Sequence, residues 1–202
     1  STPDEMAQRA AELTPQFKAL PSLSRMEPFT TTVAERAALW KMRDGIFPCV
    51  AGARVPGATV ILEDIAAPLG DLDRLVDGVQ SLFAKYGYDG AIFGHARAGN
   101  IHPMLTSTMS DERDTTRFRN FMDDMVSHVL SLDGSLKGEH GTGRAIAPFV
   151  AREWGDEIYG LMKRLKQLAD PGNVLNPGVI INPDRECFMG PMKEMTLFGA
   201  GL

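Results

Sequence analysis

The sequence is short of sulfur: it has two cysteines, Cys49 and Cys187, far apart and without the close paired spacing of a structural zinc site or a redox couple. Both read as free thiols, which fits a reducing compartment. An iron–sulfur cluster needs about four thiolates, so neither cysteine can support one here. Long apolar runs are also lacking. No stretch approaches the roughly 20 residues that span a bilayer, and the start, Ser1-Thr2-Pro3-Asp4-Glu5, has neither the basic nor the apolar region of a signal peptide. The expectation is a cytoplasmic chain with no membrane span. Basic residues are in deficit, 21 Lys and Arg against 26 Asp and Glu, for a formal charge of -5. That balance argues against a nucleic-acid surface, which needs clustered cations to displace counterions. Internal repeats and low-complexity tracts are absent as well.

What remains is ordinary globular usage, 44% hydrophobic and 23% charged over 202 residues, enough for one domain with an extension. Helical spacing begins at Met6, Ala10, Leu13, Phe17 and Leu20, with Pro15 expected to interrupt or restart the helix. A strand is expected at Arg25–Thr30. Thr32 can cap a helix holding Val33, Ala37, Leu39 and Trp40, expected to end near Phe47-Pro48 because the residue before proline avoids helical angles. The β-branched run Ala58–Asp64 reads as a central strand. Leu72, Leu75, Val76, Val79, Leu82, Phe83 and Tyr86 form one apolar stripe closed by Gly87. Two strands follow, Ala91–Phe93 and Ile101–Leu105, joined across Gly94–Asn100.

A long helix is predicted from about Asp111 to Leu132, with Phe118, Phe121, Met122, Met125, Val126 and Val129 at core spacing. Ile158, Leu161, Met162, Leu165 and Leu168 mark a last helix, stopped by Asp170-Pro171-Gly172. Strands alternating with helices, plus one hairpin, predict an α+β fold: a ferredoxin-like antiparallel sheet with helices on one face and a C-terminal helical extension. Such a fold usually begins with a strand, so a start on a helix is read as truncation. Residues 183–202 have weak periodicity and read as a linker or tail.

Three of the four histidines fall in two glycine-rich segments, Gly94-His95 through His102-Pro103 and Lys137-Gly138-Glu139-His140-Gly141-Thr142-Gly143-Arg144. Glycines let the backbone turn sharply and approach a ligand, and imidazole and carboxylate suit a borderline divalent ion. A hairpin can bring His95 and His102 to one face, and Glu139 would add a third ligand from a separate loop, leaving positions open for water or substrate. A lone histidine more often serves structure, and that reading is kept for His128, which lies between core positions of the long helix. His140 follows Glu139 and can point elsewhere, where an imidazole suits proton abstraction. Arg43 could clamp a carboxylate or simply face its helix end. Arg97 and Arg144 are further carboxylate candidates.

These segments resemble the C-terminal domain of FAD-linked oxidases and dehydrogenases of the vanillyl-alcohol oxidase group, which includes D-lactate, glycolate and D-2-hydroxyglutarate dehydrogenases. Four stretches match in order: Leu39–Arg43, Gly94–His102, Gly138–Arg144 and Asp170–Gly178. The stretch Gly134–Val150 with Glu153-Trp154-Gly155 looks like the long bacterial members in which this domain precedes an iron–sulfur module. The resemblance implies that residues 1–182 are the cap, or substrate, domain. It implies that His95, His102 and Glu139 bind zinc or a similar ion, that His140 takes the hydroxyl proton, and that Arg43, with Arg144, receives the substrate carboxylate. Asn176 matches an asparagine near the flavin, and His140 is implied to lie on the cofactor side as well. It departs at Ala98, where some relatives have aspartate, and at Leu62, where others have lysine.

The resemblance further implies an FAD held mainly by an N-terminal domain not found before Leu39, a small 2-hydroxyacid as substrate, and an isolated chain that is inactive and does not retain FAD. Any iron–sulfur cluster would sit in the parent protein. Two other readings compete: a self-contained metal-dependent hydrolase in which Glu139 or His140 activates water, and a ferredoxin-like binding module without catalysis.

Overall fold

The computed structural model describes residues 2–20, 29–109 and 111–189. The chain divides into two compact units, Ser1–Ala53 and Arg54–Leu202.

The first unit holds two helices, α1 (Pro3–Lys18) and α2 (Val33–Ala53), neither of which buries a residue. Thr2 and Glu5 form a reciprocal capping box, with Pro3 at the first turn where its missing N–H costs nothing. Pro15 does not interrupt α1 as expected. The side chains of Thr14 and Gln16 donate to the carbonyls of Ala10 and Glu12, on either side of the bond that Pro15 cannot make. Likewise α2 runs through Pro48 to Ala53 and does not end before it. Of the expected strand Arg25–Thr30, residues 25–28 lie outside the described residues, and Phe29 and Thr30 are not extended in a sheet.

The second unit is the α+β layer. β1 (Thr59–Leu62) and β2 (Ile65–Ala66) both pair antiparallel with β4 (Asn100–Ser107), and their partners follow one register, Leu62 facing Met104 and Ile65 facing Ile101. They form one strand interrupted at Glu63 and Asp64, and the Glu63 N–H still reaches the Pro103 carbonyl at 2.9 Å. β3 (Ala91–His95) pairs along the other side of β4. The central place expected for the β-branched run therefore belongs to β4, which has neighbours along both edges. On the far side of β2, Ser135 exchanges two backbone hydrogen bonds with Ala66, at 2.8 and 2.9 Å. Ser135 is what remains of a fourth strand, in the position a ferredoxin-like sheet assigns to it.

Side chains alternate across this sheet. Ile61, Ile65, Ile101 and Leu105 meet α3 (Leu72–Tyr86) and α4 (Glu112–Ser131) in one core with Leu75, Val79, Phe83, Phe118, Met125 and Val129. Gly87 in the left-handed region stops α3, and the Asp111 side chain accepts from Asp114 N–H at 2.8 Å to start α4. His128 reaches the Arg74 carbonyl at 3.1 Å and lies over Gly78, a structural role as expected.

After Ser135 the chain forms α5 (Gly143–Ile146), a short 3-10 turn, and α6 (Val150–Ala169), which bends at Gly155. The residues whose spacing marked this helix lie on α6 as expected, and most are exposed, Leu165 by 69% and Leu168 by 82%. Beyond α6, Asp170 accepts from the amides of Val174 and Leu175 at 3.0 and 2.8 Å and pairs with Lys166. Phe188 packs against Phe118 and Phe149, while residues 190–202 lie outside the described residues. No described helix is long and apolar enough to cross a membrane.

Two outcomes follow from this packing. Phe121 is enclosed by the rings of Phe83, Tyr86, Tyr88 and Phe118, so Phe121→Ala should lower the unfolding free energy in urea by about 3–5 kcal/mol. The Lys166 ammonium, then the two amides, hold the Asp170 carboxyl down to about 2. A lowered carboxyl pKa stabilises above the ordinary value near 3.8 and loses that effect as pH falls toward 2. NMR titration should place the Asp170 midpoint near 2, and a midpoint near 4 would contradict the capping role.

Candidate metal and catalytic site

The site lies on the sheet face turned away from α3 and α4, and the β3–β4 hairpin builds half of it. Register sets His95 opposite Asn100 and Phe93 opposite His102, so all four side chains share that face. Gly94 makes the close approach feasible, since a Cβ there would fall 2.5 Å from the Asn100 carbonyl oxygen. The His95 and His102 rings meet edge-on with centroids 5.5 Å apart.

The other half is the loop after Ser135. Its entry is fixed by Glu153 at the start of α6, whose carboxylate accepts from Leu136 N–H and Ser135 Oγ, both at 3.0 Å. Lys137 reaches Glu63 at 2.8 Å, a pair almost wholly out of water. Burial pushes the Glu63 carboxyl up, and the Lys137 ammonium opposes that push. Gly138 then crosses directly over the floor of the site. A Cβ on it would lie 2.3 Å from Asn100 Nδ2 and 3.0 Å from Asp64 Oδ1, so no larger residue fits without displacement.

This loop brings Glu139 to the two hairpin histidines. One oxygen, Glu139 Oε1, lies 3.0 Å from His95 Nε2 and 3.1 Å from His102 Nε2. His140 stacks on His102, with centroids 4.8 Å apart and planes within 4°. His102 is buried, whereas the side chains of His95, Glu139 and His140 are about half exposed, so the cluster has a closed floor and an open side. Burial pushes the His102 pKa down against the attraction of Asp64, which favours a neutral ring with a lone pair to offer.

Asp64, which sequence reasoning passed over, lies beneath the whole arrangement. Its Oδ2 accepts the backbone N–H groups of Glu139 and His140, each at 2.7 Å, and its Oδ1 accepts from Asn100 Nδ2 at 2.5 Å. Burial alone would raise its pKa, but these donors outweigh that and hold the carboxyl below its usual value. The signal was present in the sequence: an acid pair, Glu63-Asp64, set between Leu62 and Ile65 in an otherwise apolar strand.

The donor set fits a divalent cation. An ion with bonds of about 2.0–2.1 Å sets tetrahedral ligand atoms roughly 3.3 Å apart, close to the spacings around Glu139 Oε1. A second grouping, Asp64 with His102 and His140, also falls within coordination range. There, however, both carboxylate oxygens already accept N–H groups. Neither grouping contains a cysteine.

Arg43 belongs to the first unit, exposed on α2, with its guanidinium over Trp40 and 3.6 Å from Asp44. Arg144 is exposed at the start of α5, and its carbonyl accepts from Cys187 Sγ at 3.7 Å. Arg97 is exposed in the hairpin turn. Asn176 lines a mostly apolar groove of about 510 Å³ with Thr142, Trp154 and Leu165.

Comparison with known proteins gives a consistent picture. The family described as FAD linked oxidases, C-terminal domain, matches residues 1–180. The chain is 32% identical to the glycolate oxidase subunit GlcD of Bacillus subtilis over 158 residues, 78% of this chain and 31% of that protein. It is 33% identical to the mitochondrial D-lactate dehydrogenase [cytochrome] of Arabidopsis thaliana, covering 74% of this chain and 26% of that one. With the D-2-hydroxyglutarate dehydrogenase of Escherichia coli it shares 29%, over 73% of this chain and 14% of the relative. The chain thus spans a third or less of the length of these relatives. Among solved structures, a 4-ethylphenol oxidase from Gulosibacter chungangensis matches with a TM-score of 0.57 at 13% identity, over 90% of this chain and 38% of that one, a likeness of fold.

The tight crossing of the loop generates a test. Gly138→Ala should lower the unfolding free energy by about 1–3 kcal/mol, the usual cost of overpacking. Gly138→Ala with wild-type stability in urea would show that the loop does not lie against Asn100.

Proposed function

This chain belongs to the FAD linked oxidases as their C-terminal domain, and from that premise we propose that it is the substrate- and metal-binding part of a flavin-dependent dehydrogenase. The proposed substrate is a D-2-hydroxyacid of the D-lactate, glycolate or D-2-hydroxyglutarate type, the chemistry named in its relatives. One observation carries the reading: a single Glu139 oxygen sits at 3.0 and 3.1 Å from two imidazole nitrogens. His95, His102 and Glu139 are accordingly the proposed ligands, and zinc is the ion their N,N,O set suits best.

Oxidising such an acid removes a proton from the hydroxyl and a hydride from the same carbon. When bound, the ion would acidify the hydroxyl and the flavin would accept the hydride. This chain's own part is orientation and proton transfer. His140 is the proposed base, since its half-open ring can meet a molecule entering from the exposed side while its stack on His102 fixes its plane. Arg43 and Arg144 are the proposed partners of the substrate carboxylate, through the planar fork that matches it. Asn176, in its apolar groove, is the proposed flavin contact.

The FAD would be held mainly by a separate FAD-binding domain of the parent chain, and this domain alone would not turn over. An iron–sulfur module of the parent is the proposed exit for electrons, and the cytoplasm the proposed location. A self-contained hydrolase could use the same three ligands, but membership of the flavin-linked family favours oxidation.

The test uses the flavin-bearing parent protein, mixed without oxygen with D-lactate, glycolate and D-2-hydroxyglutarate while flavin absorbance is followed. At least one acid should bleach the flavin, in a manner abolished by chelation. His140→Ala should slow bleaching by about 10²- to 10⁴-fold with metal content unchanged. No bleaching with any 2-hydroxyacid would overturn the assignment.

A further inference from the structure

A neutral imidazole carries one proton on one of two nitrogens, and the nitrogen that binds a cation must be the bare one. For buried His102 the choice is set by its two neighbours. Nε2 faces Glu139 at 3.1 Å, while Nδ1 faces Asp64 Oδ1 at 3.5 Å and has no hydrogen-bond partner among the described residues. Asn100 Oδ1 is likewise buried and without a hydrogen-bond partner among the described residues. The register of β1, β2 and β4 puts Asp64 directly across from His102, so this proximity is built into the sheet.

We infer that Asp64 is a positioning residue for the site: it keeps the His102 proton on Nδ1, turning the Nε2 lone pair toward the cation, and its other oxygen holds the two amides that carry Glu139 and His140. The inference rests on the metal reading proposed above and extends it to a residue outside the ligand set. Two carboxylates compete for the ring proton. Glu139 is half exposed and screened by water, whereas Asp64 is wholly buried, where its charge acts at a lower effective dielectric. Asp64 is therefore the stronger attractor although 0.4 Å farther away. The separation of 3.5 Å exceeds an ordinary hydrogen bond, and a small rotation of the ring closes it. Carboxylates in this place behind a ligating histidine fix its tautomer and raise its basicity.

Asp64→Asn separates this role from simple packing. The oxygen that accepts the Glu139 and His140 amides must stay an oxygen, so the new amide nitrogen takes the Oδ1 place. Asn100 can flip its amide to satisfy it, using the oxygen now unpartnered. The loop then stays, but His102 Nδ1 faces a donor instead of an acceptor, and the ring proton is driven to Nε2.

The experiment reads imidazole tautomers by nitrogen-15 NMR on the metal-free 202-residue chain, then titrates Co²⁺ and follows its visible absorption. The expected results are His102 protonated on Nδ1 in the wild type, on Nε2 in Asp64→Asn, and Co²⁺ affinity reduced about ten- to a hundredfold in the variant. Wild-type His102 protonated on Nε2 would overturn the inference, as would an unchanged tautomer in a folded Asp64→Asn. Should Asp64→Asn fail to fold, the wild-type tautomer alone still decides. Co²⁺ failing to bind the wild type would overturn the metal reading and leave the tautomer result standing on its own.

Discussion

A carboxylate with no access to water must be surrounded by donors, and Asp64 meets that requirement with parts drawn from two separate stretches of chain, β4 and the loop after Ser135. Two amides come from the loop after Ser135, one side-chain N–H from Asn100 on β4, and a ring nitrogen of His102 stands opposite. Leaving such a group uncompensated in the interior costs several kcal/mol, so the folded chain has strong reason to assemble these donors together. The loop bearing Glu139 and His140 is thereby tied to the hairpin bearing His95 and His102. The cluster of imidazoles is a consequence of satisfying one buried acid.

The rest of the second unit provides the platform. The sheet divides labour between its faces: one buries Ile61, Ile65, Ile101 and Leu105 under α3 and α4, the other presents polar groups. Because side chains alternate along each strand, a polar face of this kind survives only where the opposite face contributes enough apolar burial. The reduction of the fourth strand to the Ser135 bridge also matters. A full strand would carry the chain past Asp64 in a regular ladder, whereas its early end frees Gly138, Glu139 and His140 to fold over it.

Much of this was readable from residue order. The stripes of α3 and α4 announce themselves because every third or fourth residue is large and apolar, and the hairpin is marked by two short β runs around a glycine-rich turn. His95, His102 and Glu139 could be grouped because histidines in glycine-rich segments stand out. Asp64 was marked only by the oddity of the Glu63-Asp64 pair within an apolar strand, which has no periodic signature, and its role depends on donors distant in sequence. The prolines misled for a local reason: both Pro15 and Pro48 lie within helices, and around Pro15 the side chains of Thr14 and Gln16 donate to nearby carbonyls. The stripe of α6 obeyed helical spacing yet lies exposed, because periodicity reports an apolar face and not what covers it.

His102 forms a buried floor, His140 stacks on it, and the side chains of His95, Glu139 and His140 are half open to solvent. A visiting molecule thus meets these groups from the open side. Three distinct contact points and one approach are enough to tell an object from its mirror image, and a set of unlike groups such as these meets that geometric requirement. Any selection between mirror images would then reside in the architecture of the sheet and its covering loop.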